Sequence, residues 1–252
     1  MTAAHCTWWP AEPALYRIVV GLHSKNSTSD AIVCEICRFE NHPNYDREDP
    51  YLRYDFSIAH LKESLEFGTR AVQACLPTLK MSGGFLVNKT LTISGWGLTI
   101  PGDWESSPNN LHFVKVPGIS NEVCKELYVE ENMTEGVIDA VICAGDIKEG
   151  GIDSCQLDSG GKLTDIYVIL LKFKIISIKT PASIDFNTFH YTFTGPLTYN
   201  DEGQEFLVGV VSWGGGCGIN HNPGIYARIT HVLPWIEQGL ANTCESFVDQ
   251  SK

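Results

Sequence analysis

The chain has 252 residues, 43% of them hydrophobic and 19% charged, with a formal net charge of −12. That composition argues against a disordered chain, and the acidic balance argues against a nucleic-acid partner, which needs a basic footprint. It permits an acidic surface that attracts basic substrates, and the length allows a single all-β domain.

In chain order, Thr2-Ala3-Ala4-His5-Cys6 comes first, where His5 is either a solvated capping group or a base. Residues 15–22 and 31–39 are rich in β-branched side chains and read as strands around the polar loop Asn26-Ser27-Thr28-Ser29-Asp30. Cys34 and Cys37 have C-x-x-C spacing with His42 nearby. A zinc or redox site is one reading, and a disulfide or unpaired thiols is the other. No second C-x-x-C or H-x-x-x-H accompanies them, so no metal or cofactor is expected. Asn41-His42-Pro43-Asn44-Tyr45 reads as a turn-rich connection. Residues 54–61 read as a strand with Asp55 near its start, embedded between Tyr54, Phe56 and Ile58, and His60 reads as structural. Residues 91–97 run as a strand into a glycine-bounded turn.

Later, 166–178 is very apolar but carries Lys172 and Lys174, too short and too charged for a membrane span. Val232, Trp235, Ile236 and Leu240 recur at helical spacing and predict a C-terminal helix packed on the core. Nine cysteines and three sequons, at Asn26, Asn88 and Asn132, point to an oxidising, secreted setting. No basic start or apolar run opens the chain, so the expectation is that its true N-terminus lies upstream.

The stretch that organises the rest is Asp153-Ser154-Cys155-Gln156-Leu157-Asp158-Ser159-Gly160-Gly161. Alone it could be an Asx turn in a surface loop. A serine hydroxyl, however, becomes a nucleophile only beside a base that a carboxylate orients. The order His5, Asp55, Ser159 supplies all three. With Ser94-Gly95-Trp96-Gly97, Val141-Ile142-Cys143-Ala144-Gly145, Ser212-Trp213-Gly214 and Pro223-Gly224-Ile225-Tyr226, the sequence resembles the trypsin-like members of the chymotrypsin family of serine endopeptidases.

The resemblance runs over 1–240. It implies two antiparallel six-stranded β-barrels, the first incomplete. The first would occupy about 1–80, the second about 85–230, a C-terminal helix about 230–241 and a tail 242–252. It implies that Ser159 attacks a peptide carbonyl, that His5 is the base, and that Asp55 orients it. The backbone N–H groups of Leu157 and Ser159 would form the oxyanion hole. Asp153 would sit at the base of a specificity pocket kept open by Gly214 and Gly224, giving cleavage after Arg or Lys. Ser212, Trp213 and Gly214 would pair with an extended substrate. Cys124 would bond to Cys143 and Cys155 to Cys217. Partners would be protein or peptide substrates and protein inhibitors.

Three departures stand out. Leu157 occupies a position where the family has glycine. The strands and activated N-terminus that the family places before the histidine motif, and that would neutralise Asp158, are not in this chain. After Gly161 the family text resumes only at Pro196, and excising 162–195 restores it without a gap. That stretch reads as unspliced intron or a gene-model error, not an evolved loop. The alternative function is a catalytically impaired homologue that binds a substrate or partner without cutting it.

Overall fold

The computed structural model describes residues 1–7, 12–27, 31–69, 71–100, 103–147, 165–169, 175–179, 195–214, 221–242 and 244. The first sheet begins with β1 (Arg17–Leu22), β2 (Ile32–Asn41) and β3 (Ser57–Leu61), paired antiparallel. β1 is apolar on both faces because both are covered. Ile18 and Val20 pack with Tyr16, Ile36 and Ala71, while Val19 and Leu22 pack against Trp96 of the second unit. A short unbroken apolar run is the pattern expected of a strand buried on both sides.

The second unit is built from β4 (Thr90–Gly95), β5 (His112–Ile119) and β6 (Val141–Ala144), which α1 (Asn121–Leu127) precedes. Strands β7 (Asp165–Ile169) and β8 (Ile175–Lys179) come next in the chain. They are followed by β9 (Pro196–Asp201), β10 (Gln204–Trp213), β11 (Gly224–Arg228) and α2 (Leu233–Ala241). Six of these strands close into a barrel in the order β10-β11-β6-β5-β4-β9, which removes the unpaired edges that an open sheet would leave. Along β4, Leu91 and Ile93 point inward and are fully buried, joining Val116, Ile142, Leu197 and Tyr226 in the barrel core.

The first unit is an open sheet, in the order β3-β2-β1-β8-β7. β7 and β8 lie inside the 162–195 stretch, and β8 pairs antiparallel with β1 at Val19↔Ser177 and Leu22↔Ile175. The stretch set apart by sequence thus extends the first sheet with two strands. No helix among the described residues is long and apolar enough to cross a membrane.

A fourth cluster joins the units and decides where the site lies. Ala3, Phe56, Leu207, Val210, Ala227, Ile229 and Ile236 pack together, so the N-terminal turn, the approach to β3, the barrel and α2 meet along one seam. The helix packs Val232, Trp235 and Ile236 of the expected stripe into this cluster and departs from it at Leu240. Leu233, Ile236 and Gly239 are buried, whereas Leu240 is 65% exposed. The close approach is at Gly239, where a Cβ would stand 2.4 Å from the Ile58 methyl. Leu240, about 100° further round the helix, therefore faces out.

Cysteine pairing also resolves the C-x-x-C motif. Cys37 is bonded to Cys244, 207 residues away, and Cys124 to Cys143. The first bond fastens β2 to the segment after α2; the second fastens α1 to β6.

Candidate active site

The site is assembled at the seam. Thr2 and Ser57 exchange both backbone hydrogen bonds, at 2.9 and 2.8 Å, which lays the start of the chain along β3. Ala3 and Ala4 are completely buried, and a larger side chain at Ala3 would have to displace Phe56 or its neighbours. The chain then makes a 3-10 turn over Ala4–Cys6, closed by Thr7 N–H to the Ala4 carbonyl. Thr7 Oγ1 also donates to Asn41 Oδ1 at 2.9 Å, pinning the turn to the end of β2. His5 is carried on that turn.

Asp55 arrives from the other side of the seam, just before β3, with 1% of its surface exposed. It accepts three hydrogen bonds. His5 Nδ1 donates to Oδ2 at 2.6 Å, the His5 backbone N–H to Oδ1 at 2.9 Å, and Ser212 Oγ to Oδ2 at 2.7 Å. A carboxylate removed from water needs such donors to stay ionised. The bond to Nδ1 fixes the tautomer: the proton sits on Nδ1, and Nε2 is left as the acceptor. Nε2 is buried and has no hydrogen-bond partner among the described residues.

Burial acts to lower the His5 pKa, but the Asp55 charge and its hydrogen bond, with help from Cys6, raise it well above the ordinary 6.5. The sign for stability follows. Because the folded value is raised, the pair contributes stability that is fully present below about pH 6.5 and is lost as pH rises through the folded value. Unfolding measured across pH should show that loss in the native chain and not in an Asp55→Asn variant.

The resemblance has Ser212 meet substrate through its backbone; its hydroxyl has a further use. Opposite β11, Val211 pairs with Tyr226 and Trp213 with Ile225, so Ser212 is the extra residue of a bulge. A bulge re-aims a side chain, and here it turns the hydroxyl onto Asp55. Nothing in the Ser-Trp-Gly motif announces this role.

Beyond the bulge, Trp213 packs edge-on to Tyr128 at 5.3 Å, and Tyr128 donates its hydroxyl to the Pro223 carbonyl at 2.6 Å. The glycines expected to line the pocket face each other: a Cβ on Gly214 would stand 3.9 Å from Gly224 Cα and from the Tyr128 hydroxyl. Both are ordinary van der Waals contacts, so a small side chain at Gly214 would meet those neighbours without a clash. The tryptophan itself rests on Gly136, where a Cβ would lie 2.6 Å from its ring. Gly136→Ala should cost roughly 1–3 kcal/mol by overpacking. Urea unfolding measures it, and an unchanged midpoint would mean that the ring moves aside freely.

Asp153, Cys155, Leu157, Asp158, Ser159 and Cys217 lie outside the described residues. His5, Asp55 and Ser212 are described and meet at the seam through hydrogen bonds, whereas Trp213, Gly214 and Gly224 lie together beside Tyr128. The reading of Cys34, Cys37 and His42 as a metal or redox group gives way to the commitment of Cys37 to Cys244.

A closed antiparallel barrel beside a second β-sheet, with a C-terminal helix across the seam, is the chymotrypsin-type fold. Residues 1–167 and 195–236 match the family model described as Trypsin, and the break falls within the stretch that interrupts the family text. The chain is 30% identical over 242 residues to Trypsin zeta of Drosophila melanogaster, covering 96% of this chain and 70% of that one. It is 29% identical over 241 residues to Trypsin-1 of Astacus astacus, covering 94% and 81%. With Transmembrane protease serine 9 of Rattus norvegicus it shares 29% identity over 237 residues, 94% of this chain but only 18% of that protein. The chain belongs to the trypsin family and is a serine endopeptidase of that family.

Proposed function

We propose that the chain cleaves peptide bonds after Arg or Lys through His5, Asp55 and Ser159. Ser159 Oγ forms a bond to the scissile carbonyl carbon as its proton passes to His5 Nε2. The carbonyl electrons move onto oxygen, which the backbone N–H groups of Leu157 and Ser159 receive. Collapse expels the amine, which takes the proton from His5. Water then repeats the sequence on the acyl-enzyme, releasing the acid and restoring Ser159. Asp55 keeps His5 in the productive tautomer and balances its charge while it is protonated.

The observation that carries this reading is the His5 Nδ1 to Asp55 Oδ2 bond of 2.6 Å, with Nε2 buried and unpartnered among the described residues. Asp153 would accept the cationic side chain of the substrate through charge-assisted hydrogen bonds at the end of the slot between Gly214 and Gly224. The two disulfides among the described residues support an extracellular setting, and the sequon residues Asn26, Asn88 and Asn132 are exposed. Protein inhibitors that mimic an extended substrate would dock on the Ser212–Gly214 edge. One residue, Leu157, favours a second reading, a homologue that holds peptides without efficient turnover.

A fluorophosphonate probe tests the reading, because it labels only an activated serine. Labelling is expected at Ser159, located by peptide mass, and is lost in Ser159→Ala. An unlabelled native chain that also stays unlabelled after Leu157→Gly would overturn it.

A further inference from the structure

His42 is close to Cys34 and Cys37 along the chain, yet the fold puts it in different company. It follows β2, is 8% exposed, and lies against both residues that flank Asp55. Its ring stacks on Tyr54 with centroids 5.1 Å apart and planes 8° from parallel. Phe56 lies 6.4 Å from it, and the Trp235 ring of α2 meets it edge-on at 5.0 Å. Its backbone N–H donates to the Phe56 carbonyl at 2.9 Å. His42 Nδ1 accepts the Asn44 backbone N–H at 3.2 Å, so that nitrogen carries no proton and the ring is neutral.

The segment it grips is strained. Tyr54 has φ 59°, a left-handed conformation that a bulky residue adopts only under strain. Phe56 N–H closes onto the Tyr54 carbonyl at 2.7 Å, making a tight turn with Asp55 at its centre. That turn swings the Asp55 carboxylate toward His5 and Ser212, and it persists only if its neighbours hold Tyr54 and Phe56 in place.

We propose that His42 is a positioning residue for the His5–Asp55 pair: its neutral ring clamps Tyr54 and Phe56 on either side of Asp55 and fastens that turn to Trp235 of α2. His42 does not itself touch the reacting atoms. Titratable neighbours among the described residues include Tyr45, Tyr54, Asp55 and His231, the last on the 3-10 turn before α2 and itself against Tyr54 at 5.6 Å. Burial, with His231 nearby, lowers the His42 pKa and keeps the ring in the neutral form that the Asn44 bond requires.

The readout is the strongly deshielded NMR resonance of the proton in the short His5–Asp55 hydrogen bond. It is independent of hydrolysis and can be recorded in a Ser159→Ala background, so the inference and the proposed reaction can fail separately. The resonance is expected in the native chain and in His42→Phe, which keeps a stacking ring. It should broaden or vanish in His42→Ala and in His42→Gln, which keeps an acceptor for Asn44 but no ring. In the Ser159 chain, kcat should fall roughly 10–10²-fold in the Ala and Gln variants with KM little changed, and recover in the Phe variant. Should His42→Ala fail to fold, the Gln and Phe variants decide alone. Retention of the resonance in the Gln variant, or its loss in the Phe variant, would overturn the assignment.

Discussion

Replacing Asp55 by Asn is expected to lower kcat by ~10⁴, the size known for the same change in the trypsin-type triad. The geometry gives the reason. Asp55 Oδ2 receives both His5 Nδ1–H and Ser212 Oγ–H, and Oδ1 receives the His5 backbone N–H. An amide offers one oxygen and one NH2 in place of two acceptors. With the NH2 at the Oδ2 position, His5 must turn Nδ1 into an acceptor and carry its proton on Nε2, which can then no longer take one from a serine. With the NH2 at the Oδ1 position, it opposes the His5 backbone N–H. Removing the charge also removes the largest of the effects that raise the His5 pKa, leaving Cys6, while burial continues to press it down. The pH profile of kcat/KM should therefore show its lower limb above pH 6.5 in the native chain and shifted to lower pH in the variant. A variant that keeps native kcat would show that Asp55 does not govern the tautomer.

The second large effect runs the other way. Leu157→Gly is expected to raise kcat by about 10²–10³, with KM little altered. An oxyanion-hole donor contributes in the transition state, and loss of one such donor costs about 2.7–4 kcal/mol. Any Cβ excludes backbone conformations open to glycine, and in the proposed oxyanion hole it would also crowd the approach of the substrate carbonyl. Turnover of a peptide ester by the two chains, matched for fluorophosphonate-titrated sites, measures the gain. Equal rates would mean that the Leu157 N–H already points at the oxyanion. A rate fall in the glycine variant would assign the leucine a packing role instead.

Much of this molecule is legible in its residues alone, because short patterns fix local backbone and local chemistry. The alternation of Thr90-Leu91-Thr92-Ile93 makes β4, and the β-branched runs make β1 and β2. His5 and Asp55 are recognisable from the few residues around each. Their roles come from resemblance, and their meeting cannot be read from periodicity, since 50 residues separate them.

What only the tertiary structure decided are pairings between distant segments. Ser212 reaches Asp55 across 157 residues through a bulge that no local propensity specifies. Cys37 bonds to Cys244 because α2 returns the chain to β2, which neither C-x-x-C spacing nor cysteine counting can foretell. Leu240 turns outward because Gly239 approaches Ile58, a matter of which helix face finds room. His42 leaves its cysteine neighbours for an aromatic cluster assembled from three separate segments. In each case the deciding energy is packing between surfaces that the chain brings together only after folding, whereas motif and periodicity record only what adjacent residues require of one another.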